Sequence, residues 1–281
     1  MTTVDQNHTL TGTGVDGVSI PAVGFGTWPL TGAECTASVL QALELGYRQV
    51  DTAQNYGNED AVGAAVRESG LPRDEVFVTT KFNRESHGDV ATLRRAAEAS
   101  LERMGLDHLD LLLIHWPNPD QDRYVQTCES LATLVETGLI RAWGVSNFTP
   151  AHLHRVLDAG LVPPVNQVQL DPRCAQRQAQ AAHAAAGVRT AAYSPLARGG
   201  EVLGTPEVTG IAARLERTPA QVVLRWHLQQ GRLVVPRSAN RGRQQENLEV
   251  FGFELTAEDV AVIDALDTGE GPRLDADTYG H

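Results

Sequence analysis

Short apolar runs recur along the chain, each followed by a turn and then by a longer amphipathic stretch. The runs are Val23–Gly26, Arg48–Asp51, Val76–Thr80, Leu109–His115, Ile140–Ser146, Val165–Leu170, Thr190–Ser194 and Leu233–Pro236. They are mostly apolar rather than alternating, the pattern of parallel strands buried on both faces. Between them lie periodic stretches that predict helices over Cys35–Leu45, Asn58–Ser69, Asp89–Met104, Arg123–Thr137, Ala151–Ala159, Arg173–Ala186 and Ala220–Gln230. A glycine follows each of them, and glycine stops a helix because it enters the left-handed region without steric penalty. Eight strands alternating with helices predict an α/β fold, a closed (β/α)8 TIM barrel over residues 1–281, with a doubly wound open sheet as the alternative. A β-hairpin is expected over Thr9–Ile20. From Thr256 a helical pattern gives way to a short polar C-terminal tail, expected to drape over one barrel end.

Composition narrows the function. Of 281 residues, 42% are hydrophobic, enough for a large core, and the net charge is -12. Such an acidic surface repels phosphate backbones and anionic lipid, so neither nucleic acid nor membrane is an expected partner. The three cysteines, Cys35, Cys128 and Cys174, are far apart and form no CxxC pair, which suggests neither a disulfide framework nor a zinc cluster. No apolar run approaches the ~20 residues that span a bilayer, and residues 1–10 lack a signal-like apolar stretch. A cytoplasmic monomer acting on a small molecule, without a metal, is expected.

In such a barrel the reacting groups sit at the carboxyl ends of the strands. Strand two ends in Asp51, followed by a loop carrying Tyr56; strand three ends at Lys81 and strand four at His115. Singly, each has an ordinary role: a rim tyrosine, a helix-capping aspartate, a surface lysine, a core histidine. Converging on one mouth, they fit together as a proton-transfer device. A phenol has an unperturbed pKa of about 10, a neighbouring ammonium favours its ionised form, and a buried ammonium needs a carboxylate. Lys81 is thus expected to lower the pKa of Tyr56, with Asp51 as its partner and His115 orienting a substrate oxygen.

These residues lie in stretches that resemble the aldo-keto reductase superfamily: Gly24-Phe25-Gly26-Thr27-Trp28, Asp51 through Glu59, Leu113-Ile114-His115-Trp116-Pro117, Gly144-Val145-Ser146-Asn147-Phe148, Asn166-Gln167, Ala192-Tyr193-Ser194-Pro195-Leu196 and Pro236-Arg237-Ser238. The likeness runs in order from about Gly24 to Asn247, and is greatest to the branch containing the 2,5-diketo-gluconate reductases. It implies a barrel that binds NADP(H) without a Rossmann domain, with Asp51, Tyr56, Lys81 and His115 as catalytic tetrad and Tyr56 as general acid. It implies that Ser146, Asn147 and Gln167 hold the nicotinamide carboxamide and that Tyr193 stacks on the ring. Ser194 to Leu196 would pass the pyrophosphate. Arg237, Ser238, Asn240 and Arg243 would form the anion pocket that favours NADP(H) over NAD(H), and Gly26, Thr27, Glu246 and Asn247 complete the cofactor set. Arg237 departs from the family's usual lysine, yet a guanidinium still offers a phosphate a bidentate fork.

Two further departures concern the pocket. Gln167-Val168-Gln169-Leu170-Asp171-Pro172 stands where the family often has Gln-x-Glu-x-His-Pro, leaving Gln169 and Asp171 without an assigned role, and Asn83 puts an amide near the mouth. Trp28 and Trp116 are expected to rim the substrate carbonyl, with Phe82 a candidate neighbour at the same barrel end. The short polar tail predicts an open pocket accepting small aldehydes and ketones. Two other functions compete: a cofactor-sensing regulatory subunit without turnover, and an aldolase with Lys81 as Schiff-base amine.

Overall fold

A computed structural model describes residues 19–269, 271 and 274–281. The hairpin expected over Thr9–Ile20 falls almost wholly outside them. Eight parallel strands run in chain order β1 (Phe25–Gly26), β2 (Gln49–Asp51), β3 (Phe77–Phe82), β4 (Leu109–Ile114), β5 (Ile140–Ser146), β6 (Val165–Gln169), β7 (Arg189–Tyr193) and β8 (Leu233–Val235). Val23 bridges Val234, and the Gly24 N–H donates to the Val234 carbonyl at 2.8 Å, so the last strand meets the first and closes the ring. This is a (β/α)8 barrel. The close approach is possible because Gly26 lies against the backbone of β8, where a Cβ would run into the Val235 carbonyl oxygen.

Around the barrel lie α1 (Gly32–Leu45), α2 (Glu59–Glu68), α3 (Val90–Met104), α4 (Tyr124–Val135), α5 (Pro150–Asp158), α6 (Arg177–Ala186), α7 (Pro206–Leu215), α8 (Pro219–Gln229), α9 (Arg241–Leu248) and α10 (Ala257–Asp264). Nearly every strand residue is buried, which is why the strands read as continuous apolar runs. α5, α8 and α10 begin with reciprocal capping boxes at Thr149, Thr218 and Thr256. Each threonine cap is worth about 1 kcal/mol.

Two helices lay outside the sequence expectation, α7 and α9. α9 buries only Gln244 and Asn247 and so carries no apolar stripe to read. α6 begins at Arg177 rather than Arg173, because Asp171–Cys174 forms a turn in which the Asp171 carboxylate accepts the Arg173 N–H at 2.9 Å. Among the described residues no helix is long and apolar enough to cross a membrane, and the three cysteines are free and buried.

Candidate active site

The register of the first four strands brings four side chains to the carboxyl end of the barrel. Asp51 closes β2, Lys81 lies next to last in β3 and His115 follows β4, while Tyr56 stands on the helical turn Gln54–Tyr56 just after β2. Lys81 Nζ donates to Asp51 Oδ1 at 2.6 Å and to the Thr52 carbonyl at 3.0 Å, and lies 3.4 Å from the Tyr56 hydroxyl. The His115 ring faces Tyr56 edge-on, with centroids 5.9 Å apart. The four residues named from the sequence therefore meet.

Their titration departs from the sequence expectation in one respect. Burial is the largest influence on Tyr56 and raises its pKa; the Lys81 charge opposes this without reversing it. Tyr56 therefore keeps its proton at neutral pH, as a donor must. Lys81 is pushed down by burial, but Asp51 and Tyr56 outweigh that and hold it charged. His115 is held well below the usual histidine value by burial and by Lys81, so its ring is neutral.

A polar chain leads away from this cluster. Gln167 Nε2 donates to Asp51 Oδ2 at 2.7 Å, the Ser146 hydroxyl donates to the Gln167 carbonyl at 2.8 Å, and Asn147 Nδ2 donates to Ser146 Oγ and to the His115 carbonyl. The Tyr193 hydroxyl closes the chain by donating to Asn147 Oδ1 at 2.9 Å. The residues expected at the carboxamide thus converge and are wired to the Asp51–Lys81 pair. Sequence reasoning missed the Gln167–Asp51 link, because strand-end partners on opposite sides of a barrel leave no local signal.

The phosphate side is set by β8 and α9. Arg237 Nε donates to the Trp28 carbonyl at 3.3 Å, and the Arg198 guanidinium lies over the Trp28 ring at 5.1 Å. Asn240 caps α9 by accepting the Arg243 N–H, and its own N–H donates to Ser238 Oγ. Among the described residues no carboxylate pairs with Arg198, Arg237 or Arg243, in a chain with 35 acidic and 23 basic residues. Guanidinium groups without carboxylates beside a helix N-terminus suit a phosphate-bearing cofactor.

Other expected contacts resolve differently. Thr27 is buried, and its N–H and hydroxyl both donate to the Asp51 carbonyl, so it fixes the strand end. Asn247 is buried, and one turn earlier in α9 the Gln244 carbonyl accepts the Tyr47 hydroxyl at 2.9 Å. The Glu246 carbonyl accepts from Gln221, and Leu196 packs against the core beside Ser194, which has a left-handed backbone. Trp28 is 49% exposed and Trp116 only 4%. Phe82, the candidate neighbour, is fully buried with its ring edge-on to His87. The Gln169 carbonyl accepts from Gln176.

Buried polar atoms at this end, among them His115 Nδ1, Trp116 Nε1 and Asn83 Oδ1, have no hydrogen-bond partner among the described residues. Each such atom costs about 1–3 kcal/mol unless something polar meets it. The open mouth expected from a polar tail is also corrected. Tyr279 packs edge-on to Trp116 at 4.8 Å, and His281 packs edge-on to His115 at 4.7 Å.

Residues 22–268 match the model of the aldo/keto reductase family. The chain belongs to that family, and it is an oxidoreductase. It is 48% identical over 265 residues to an aldo-keto reductase of Mycolicibacterium vanbaalenii, covering 94% of each chain. It is 44% identical to 2,5-diketo-D-gluconic acid reductase B of a Corynebacterium species and 43% identical to methylglyoxal reductase DkgA of Yersinia pestis, covering 94% of this chain and 95% of each of those. Among solved structures, a mutant of Gox0644 in complex with NADPH superposes with a TM-score of 0.89 at 41% identity, covering 94% of this chain and 96% of that one.

Proposed function

We propose that this aldo-keto reductase catalyses the reversible NADPH-dependent reduction of small aldehydes and ketones to alcohols, with Tyr56 as the proton donor. The observation that carries this reading is the Lys81 ammonium, locked by Asp51 at 2.6 Å and standing 3.4 Å from a phenol that keeps its proton. The reduced nicotinamide supplies the hydride when bound. Tyr56 gives its hydroxyl proton to the carbonyl oxygen as negative charge develops there. The adjacent Lys81 charge stabilises the phenolate that remains. His115, neutral, hydrogen-bonds the same oxygen and fixes its direction, and Trp28 and Trp116 flank the carbonyl.

Gln167, Ser146 and Asn147 present amide and hydroxyl groups suited to a carboxamide edge, and Tyr193 offers a ring face. Arg237, Arg243, Ser238 and Asn240 bind the phosphate of the preferred cofactor. A charged lysine held by a carboxylate is a poor amine nucleophile, which disfavours the aldolase reading. A regulatory subunit needs no proton donor, and the tetrad geometry favours turnover. Mixing the protein with NADPH and a short aldehyde tests the reading: absorbance at the nicotinamide band should fall in step with alcohol formed. NADPH consumption by no carbonyl in a broad panel would overturn it.

A further inference from the structure

Neighbouring residues of a strand point to opposite faces of its sheet. In β6, Gln167 turns inward to Asp51, and Asn166 turns outward to α6. The Asn166 amide takes hold of both backbone groups of Phe148: Oδ1 accepts the Phe148 N–H at 3.4 Å, and Nδ2 donates to the Phe148 carbonyl at 2.9 Å. On the other side of the same turn, the Asn147 N–H donates to the Gln167 carbonyl at 2.9 Å. Asn147 sits between these two grips with a φ of 62°, in the left-handed region, which costs a non-glycine residue about 1 kcal/mol. Two consecutive residues of β6 thus hold the turn that carries Asn147.

Behind Asn166 stands a buried histidine. His183 of α6 has its Nε2 at 2.8 Å from Asn166 Nδ2 and its Nδ1 at 2.9 Å from the Thr190 hydroxyl of β7. Phe148 fixes which way the Asn166 amide faces, because its N–H needs an oxygen and its carbonyl needs a donor. The second Asn166 Nδ2 proton therefore points at His183 Nε2, which must accept it. Burial holds the His183 pKa down to about 4, so the ring is neutral and its one proton is on Nδ1, donated to Thr190. A chain of directed bonds runs from β7 through α6 and β6 into the Asn147 turn.

We propose that His183, acting through Asn166, is a positioning residue that fixes Asn147 against the nicotinamide carboxamide. This rests on the reading of this end of the barrel as the NADPH site. Without an acceptor at His183, a buried Asn166 proton has no partner, the amide turns to find one, and the Asn147 turn loses its outer grip. The atoms left free near Asn147 say what would suffer. Asn147 Nδ2 is spent on Ser146 and the His115 carbonyl, and Gln167 Nε2 on Asp51. What these side chains keep for a ligand is oxygen: Gln167 Oε1, and the lone pair of Asn147 Oδ1 that Tyr193 does not use. Acceptors meet the NH2 of a carboxamide, so discrimination for that NH2 reports whether Asn147 is in place.

The test compares binding of NADPH with binding of its reduced 3-acetylpyridine analogue, which carries a methyl group where the carboxamide has its NH2. Both Kd values are read from quenching of tryptophan fluorescence, with no carbonyl compound present. The wild type should favour NADPH. His183→Leu should shrink that preference about fivefold, the scale of one hydrogen bond, through a weaker hold on NADPH. His183→Gln, whose Oε1 accepts from Asn166 and whose Nε2 donates to Thr190, should restore it. Thr190→Val takes the acceptor from His183 Nδ1 and should shift the preference the same way by a smaller factor; it carries the test if the leucine variant does not fold. A purely structural His183 would lower the melting temperature of these variants and leave the preference as it was. That result, a glutamine variant no better than the leucine one, or a wild type without preference overturns the proposal and leaves the reductase reading intact. A wild type that binds NADPH but reduces no carbonyl overturns the reductase reading alone, and one that binds neither nucleotide overturns both.

Discussion

The two ends of the barrel each bury an aspartate against cations, and the groups that stand beside the two aspartates differ. At the amino end, Asp110 near the start of β4 accepts Arg73 and the Val78 N–H on one oxygen, both at 2.8 Å, and Arg141 on the other at 3.1 Å. Arginine does not give up its proton near neutrality, and His108, whose Nε2 lies 3.7 Å from Asp110 Oδ1, is tied to Asp107 through Nδ1 at 2.8 Å, so this cluster holds strands together. At the carboxyl end, Asp51 holds a lysine, and the lysine stands beside a phenol and a neutral imidazole. A buried ion pair is a weak sign of function by itself; the proton-bearing group next to it makes the difference.

That contrast can be broken by mutation, starting where the largest effect is expected. Asp110→Ala takes the shared partner from a part-buried Arg73, an exposed Arg141 and the buried Val78 N–H, and should cost about 2 kcal/mol of stability by denaturant titration. Turnover per folded molecule should change little. A loss of activity without a loss of stability would erase the distinction between the two ends. Arg237→Glu should raise the KM for NADPH about 10- to 100-fold, the worth of one charged hydrogen bond, with little change in kcat at saturation. An unchanged KM would remove Arg237 from the phosphate site.

The smallest expected effect is in pH. Tyr56 is raised and must be protonated to reduce, so reduction should be flat through neutrality and fall only in alkali. Oxidation of the alcohol needs the phenolate and should rise over that same alkaline range. His115 is already neutral at pH 6.5, so neither profile should change more than about twofold around that value. An inflection there would mean that a titrating histidine governs the reaction.

The barrel was legible because its strands are buried on both faces and read as apolar runs; all eight fall within a residue or two of their expected places. The tetrad was legible because successive strand ends share one mouth, so Asp51, Lys81 and His115 could be placed together by register alone. What escaped was whatever depends on distance across the fold. α9 has a single apolar residue, Leu248 at its end, and the Gln167–Asp51 bond joins residues 116 positions apart. Tyr279 and His281 sit in a stretch whose composition signals only polarity, and their packing on Trp116 and His115 joins distant parts of the chain. The direction of the Tyr56 shift was missed for a similar reason. The ammonium beside it can be inferred from sequence, but the extent of burial that outweighs it cannot.

The central claim is that Tyr56 is the proton donor. Measuring NADPH-dependent aldehyde reduction by Tyr56→Phe at neutral pH, beside NADPH binding by the same variant, tests it most directly. The account predicts a loss of at least about 100-fold in kcat, the usual worth of a positioned general acid, with cofactor binding intact. A variant that retained most of the wild-type rate would contradict it.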